Sequence, residues 1–281
     1  MRIDAHQHFW TYDPERYGWI EDGMEVLARD FGPGDLEPHL AAAGLDASIA
    51  VQARQDLEET DELLRYAADH PHVAAVVGWV DLESDSAPEQ LDARLGPTLV
   101  GIRHILQAEP DDEHMLRPAF QRGIIALTER DLAYDLLLHP RHLPIALRLV
   151  DAHPGQTFVL DHLAKPFIAR GEIEPWRSDL ARLAERPQVS IKLSGLVTEA
   201  SWTDWKPDDL RPYLDAALEA FGPERILFGS DWPVCRLAAT YEQVAAVMDD
   251  WSAALSPPER AALWGLNAAR TYRLKTVGRR E

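Results

Sequence analysis

Short apolar, β-branched runs alternate along the chain with longer segments in which apolar residues recur every three or four positions. A period near two that gives way repeatedly to one near 3.6 predicts βα units in series rather than separate sheet and helix regions. The strand-like runs are Arg2–His6, Ala47–Gln52, Val73–Val80, Leu99–His104, Ala133–Leu138, Thr157–His162, Val189–Ser194 and Arg225–Asp231. Helical patterns cover Glu58–Asp69, Pro88–Leu95, Leu116–Glu129, Leu143–His153, Pro175–Glu185 and Leu210–Phe221. Two more, Tyr241–Leu255 and Pro258–Tyr272, follow the last strand and would complete and cap an outer ring. Eight strands with helices between them predict a closed (β/α)8 TIM barrel of the α/β class, in preference to an open sheet. Gly and Pro mark joints at Phe31-Gly32-Pro33-Gly34, Asp69-His70-Pro71 and Phe221-Gly222-Pro223, and no long Ser-rich or charged linker occurs. The expectation is one domain over residues 1–281, with the helices of about 241–272 finishing the ring.

Composition narrows the partners. With 46% hydrophobic and 27% charged residues the chain has ordinary globular material for a sizeable core. Twenty-eight basic against 47 acidic residues give a net charge of −19, which repels polyanions and argues against nucleic acid. The single Cys235 excludes an intrachain disulfide framework. No apolar run reaches the roughly 18 to 20 residues of a membrane span, and Arg2 leads into the polar stretch Asp4–His8 rather than a secretion signal. The expected setting is therefore cytoplasmic, with no membrane partner and with self-association left open.

In a barrel of this kind the reactive side chains stand at the C-terminal ends of the strands. The first strand ends in His6-Gln7-His8, and a period of two puts both imidazoles on one face, where they can meet a metal or a carbonyl oxygen. The sixth strand closes an apolar run with Asp161 and His162; a turn cap and a core histidine are the alternative reading. The eighth ends in Asp231, just past Gly229, which lets something approach the backbone, although capping by Ser230 and Asp231 would also account for the pair. The fourth brings Arg103 to the rim, either to clamp a carbonyl or carboxylate or to form a structural ion pair. Alternation points His104 the other way, so one of the two faces the interior. Trp10, Trp19, Trp79, Trp202, Trp205 and Trp232 fall in or beside strand-end loops, where aromatic faces can stack on sugars, though most tryptophans are core filler.

Six ordered motifs add a resemblance. They are Ile3-Asp4-Ala5-His6-Gln7-His8-Phe9-Trp10, Val77-Gly78-Trp79-Val80-Asp81, Gly101-Ile102-Arg103-His104, Asp161-His162-Leu163-Ala164-Lys165-Pro166, Lys192-Leu193-Ser194-Gly195-Leu196 and Gly229-Ser230-Asp231-Trp232-Pro233. Together they resemble the amidohydrolase superfamily (amidohydrolase family 2), in particular its L-fuconolactonase and L-rhamnonolactonase branch. The resemblance spans nearly the whole chain. It implies a (β/α)8 barrel that hydrolyses aldonolactones of sugar catabolism. It also implies roles: His6 and His8 as the first-strand pair, His162 as the sixth-strand histidine, Asp231 as the acid that activates water, and Arg103 as a substrate contact. Trp232 and His104 are further candidates for substrate binding.

The departure lies on the fourth and fifth strands, where metal-dependent members supply a lysine or glutamate and a histidine. Here those runs read Gly101-Ile102-Arg103-His104 and Ala133-Tyr134-Asp135-Leu136-Leu137-Leu138. A binuclear centre is not expected, and a single zinc would have His6, His8 and Asp231 plus water. The expected enzyme is a hydrolase of a carboxylic ester that requires no cofactor and tolerates zinc. In it, His6, His8 and His162 donate hydrogen bonds to the lactone carbonyl, while Asp231 deprotonates the attacking water. Two rivals remain: a zinc-dependent hydrolase or decarboxylase acting on a small carboxylated substrate, and a barrel that binds a sugar acid without turning it over. Which lactone is taken depends on loops that the sequence does not place.

Overall fold

Strands that are apolar on both faces need helices over one side and a packed interior on the other. The computed structural model, which describes residues 1–274, provides both. The strands are β1 (Ile3–Gln7), β2 (Ala47–Val51), β3 (Val73–Gly78), β4 (Leu99–His104), β5 (Ala133–Leu136), β6 (Phe158–Leu160), β7 (Val189–Leu193) and β8 (Ile226–Phe228). They form one eight-stranded sheet in sequence order, with every neighbouring pair parallel. A parallel bridge between Gln7 and Trp232 brings the last strand back to the first, reinforced where His8 N donates to Trp232 O (2.7 Å) and Asp231 N to His6 O (2.8 Å).

The helices are α1 (Pro33–Ala43), α2 (Leu57–Asp69), α3 (Ala87–Asp92), α4 (Pro118–Thr128), α5 (Leu143–Ala152), α6 (Trp176–Ala184), α7 (Leu196–Glu199), α8 (Pro207–Phe221), α9 (Tyr241–Ser252), α10 (Pro257–Ala261) and α11 (Asn267–Thr271). Inside the barrel, Ile3, Ala5, Ile49, Val51, Ala75, Val77, Val159 and Leu227 make one apolar cluster, to which Ala268 and Tyr272 add from below. Among the described residues no helix is long and apolar enough to cross a membrane.

Three differences from the sequence reading have physical causes. Phe31-Gly32-Pro33-Gly34 reads in the sequence as a joint, yet helix α1 starts within it. Pro33 instead opens the helix and Gly44, at φ 66°, closes it, so the punctuation brackets the element. The run Pro258–Tyr272 is broken, not continuous: between α10 and α11 a wider turn at Ala262–Leu266 presses Gly265 onto β1, where a Cβ would meet Met1 O at 2.5 Å. Finally, β6 and β8 stop short of the polar residues that end their apolar runs, and β5 ends at Leu136 rather than Leu138.

Candidate active site

Those polar residues leave the ladder because their backbone turns left-handed. His162, Leu163, Ala164 and Lys165 have φ of 52°, 53°, 57° and 54°, and Asp231 has φ of 58°. Such values are uncommon for residues with a side chain and cluster where geometry serves a site. After β8, Gly229 makes room: a Cβ there would lie 2.8 Å from His6 Cβ and 3.0 Å from Ser194 Cβ. Asp231 is thereby aimed back over β1.

Around it the histidines gather. His6 Nε2 lies 3.2 Å from His8 Nε2, and Asp231 Oδ1 lies 3.4 Å from His8 Nε2 and 3.8 Å from the Nε2 atoms of His6 and His162. His8 Nδ1 donates to the Val51 carbonyl (2.7 Å), which leaves the Nε2 of a neutral ring as an acceptor. His162 Nδ1 pairs with Ser194 Oγ at 2.9 Å, so its Nε2 turns toward Asp231. Arg103 Nη1 donates to Asp161 Oδ2 (3.0 Å), and its Nη2 donates to the Gln52 carbonyl.

A cavity of about 250 Å³ opens beside this group, walled by His8, Arg103, His162, Lys165 and Asp231 on its polar side. Its other wall includes Ile105, Leu137 and Val234. Arg103 thus meets both alternatives posed by the sequence, ion pair and rim. His6 does not reach the cavity: it is wholly buried behind His8 and Asp231, so direct donation to a bound carbonyl is closed to it. His8 is closed to the same role while neutral, its one N–H being spent on Val51. Two nominated contacts also lie elsewhere. His104 turns outward to Glu109 (2.7 Å) and stacks on His114. Trp232 packs edge-on against Phe31 and faces a second cavity, beside Arg29 and Arg236. Of the loop tryptophans, Trp19 lines the first cavity.

Burial sets the charge states. It lowers His6 and His8 and brings His162 down to about 4. For Asp231 burial acts upward, but the surrounding imidazoles, His162 foremost, overcome it and hold the carboxyl below the usual carboxylate range. The two effects describe one cluster. Any proton taken up in acid goes to the imidazoles, so near neutrality Asp231 is an anion among neutral rings.

Charged groups support the cluster from beneath. Asp161, which closes the sixth apolar run together with His162, lies 3.3 Å from His6 Nδ1 and pairs with Arg103. Lys192 on β7 and Asp135 on β5 are fully buried and joined at 2.5 Å. Charged residues within otherwise apolar strands were the available signal for both. Tyr272, whose hydroxyl donates to the Asp135 carboxylate (2.8 Å to Oδ2), gave none.

His6 Nε2, His8 Nε2 and Asp231 Oδ1 converge within 4.8 Å, and nitrogen and oxygen donors at such spacing suit a divalent ion such as zinc. By hydrogen bonding they fit less well. Lys192 Nζ lies 3.1 Å from His6 Nδ1 and Arg103 Nη1 lies 3.2 Å from His6 Nε2, so this histidine does not present a free donor.

Residues 3–274 match the model of the amidohydrolase family. The chain belongs to that family. This amidohydrolase is 47% identical over 285 residues to an L-fucono-1,5-lactonase from Burkholderia multivorans, covering 98% of the chain and 96% of the relative. An L-fucono-1,5-lactonase from Burkholderia ambifaria is 42% identical over 282 residues, at 98% and 96% coverage. A crystal structure of an amidohydrolase from Burkholderia multivorans with bound zinc superposes with a TM-score of 0.94 at 46% identity, covering 98% of this chain and 100% of that one.

Proposed function

We propose that this amidohydrolase opens a sugar-acid lactone of the L-fucono-1,5-lactone type to the free acid. The observation that carries the reading is Asp231, a carboxylate kept anionic among neutral imidazoles on the wall of a cavity, in a chain whose near-full-length relatives are lactonases. Water held by Asp231 loses its proton to that carboxylate as it attacks the lactone carbonyl carbon. The oxygen that gains charge is met by the Arg103 guanidinium and by His162 Nε2–H, the latter set by Ser194 on the other ring nitrogen. The protonated Asp231 then gives its proton to the ring oxygen as the tetrahedral intermediate collapses, so the base is regenerated. His6 and His8 close the site behind Asp231.

A lactone is an activated ester, so this site needs less electrophilic help than an amide hydrolase. No metal is required in this scheme; a bound zinc would be held by His6, His8 and Asp231 and would supply Lewis acidity. The zinc-dependent hydrolase or decarboxylase is not favoured beside lactonase relatives at 47% and 42% identity. A small diffusible substrate suits a protein acting in the cytoplasm, and the net charge of −19 disfavours polyanionic partners.

The test is proton release from a panel of 1,4- and 1,5-aldonolactones by wild type and by Asp231→Asn. Wild type should turn over at least one deoxysugar 1,5-lactone, and the variant should fold yet lose about 10²- to 10⁴-fold in kcat. A variant that keeps more than about a tenth of the rate removes Asp231 as the base.

A further inference from the structure

Both ring nitrogens of His6 face cations: Lys192 Nζ at 3.1 Å from Nδ1 and Arg103 Nη1 at 3.2 Å from Nε2. A neutral imidazole has one N–H and one lone pair. With the proton on Nε2, the lone pair of Nδ1 accepts from Lys192. With the proton on Nδ1, the lone pair of Nε2 accepts from Arg103. Neither tautomer leaves a lone pair for a metal, and a dication approaching this ring meets two positive charges where burial weakens screening.

Lys192 is itself held in place. Its Nζ donates to Asp135 Oδ2 (2.5 Å) and lies 2.9 Å from Asp161 Oδ1, so its three protons have three acceptors once His6 is counted. Tyr272, just past α11, donates its hydroxyl to the same Asp135, and its ring stands 5.5 Å from the ammonium. Asp161 completes the group by pairing with Arg103. Two cations and two carboxylates are thus buried together at the cost of their hydration. Apolar replacements of such clusters are often neutral or stabilising, so stability alone does not account for this one.

We propose that Lys192, fixed by Asp135 and Tyr272 and seconded by Arg103, is a positioning residue that keeps His6 hydrogen-bonded and lowers the affinity of the His6–His8–Asp231 cluster for zinc. The inference deepens the lactonase reading and rests on it only for turnover. The ring that could complete a metal site is committed instead to its neighbours, with Nε2 3.2 Å from His8 Nε2 behind Asp231.

Zinc binding tests this without any substrate. Metal-stripped wild type, the double variant Lys192→Met/Asp135→Asn and Tyr272→Phe are titrated with zinc chloride against a chromophoric chelator. The double variant removes both members of the ion pair, so neither charge is left alone. Its zinc dissociation constant should fall by about 10- to 100-fold, the size of effect typical of groups that hold a metal ligand. Tyr272→Phe, which loses one hydrogen bond and keeps its ring, should show a smaller fall. Adding Asp231→Asn should abolish the gain. Unchanged or weaker zinc binding, or a gain that survives Asp231→Asn, overturns the proposal. Should the double variant fail to fold, Tyr272→Phe decides alone, with tighter zinc binding expected and no change overturning the proposal. In the lactone assay the folded variants should lose kcat with KM unchanged, whereas a merely structural role would lower the melting temperature and leave kcat intact. Absence of lactone turnover in wild type would count against the function and leave the zinc result standing.

Discussion

His162 illustrates how one residue couples chemistry to stability. Its imidazole is neutral down to about pH 4 in the folded protein but ordinarily only to 6.5. Between these values the unfolded chain binds more protons than the native one, so stability falls as the pH drops from about 6.5 toward about 4. This residue contributes on the order of 3 kcal/mol to that fall. His162→Asn should therefore flatten the decline of melting temperature across that window, and equal slopes in the two proteins would refute the assignment. The same substitution should lower kcat more than it raises KM, because the hydrogen bond strengthens only as the oxyanion forms. His6 and His8 are of the same residue type and differ from His162 only in what surrounds them. His8 has its Nδ1–H spent on Val51, and His6 is sealed behind it. A sequence shows three histidines at strand ends; which nitrogen faces which partner depends on chain segments as distant as residues 51 and 192.

At the level of the element, the strand ends were legible but their extent was not. Thr157–His162 and Arg225–Asp231 read as continuous strands because apolar runs lead into them. The ladders end instead at Leu160 and Phe228, and left-handed backbone at His162 and at Asp231 aims these two side chains inward. Gly229 is where this geometry is most exposed to substitution. In Gly229→Ala the added Cβ would meet His6 Cβ, on β1, and Ser194 Cβ, just past β7, at 2.8 and 3.0 Å, and neither yields cheaply because both are buried. Overpacking of this kind typically costs about 1 to 3 kcal/mol. The variant should show a lower melting temperature together with lost turnover, because the displaced groups are His6 and the Ser194 that holds His162. A fully active, equally stable Gly229→Ala would show that the crowding is relieved elsewhere. Helix α1 makes the complementary point: the same Gly and Pro residues that end helices also begin them, and only packing against the barrel distinguishes the two uses.

For the whole molecule the sharpest expectation concerns metal. Thorough chelation, verified by elemental analysis, should leave most lactone turnover in place, since Asp231, Arg103 and His162 supply a base and two donors without an ion. A fall to background that added zinc reverses would require a metal-centred scheme instead. The sequence by itself determined the barrel, because eight buried strands interleaved with amphipathic helices have few other ways to hide their apolar faces. It also determined the identities at the strand ends, where polar residues closing apolar runs have no structural need to be polar. The tertiary structure alone decided the roles. It set His6 behind the cavity, turned His104 to Glu109 and Trp232 to a second cavity, and joined Lys192 to Asp135 and Tyr272, residues 57 and 80 positions away by numbering. The physical reason is that hydrogen bonds and charges act over a few ångströms of space. A sheet that closes on itself brings β1, β5 and β7 and Tyr272, just past α11, within that range, which no local pattern records.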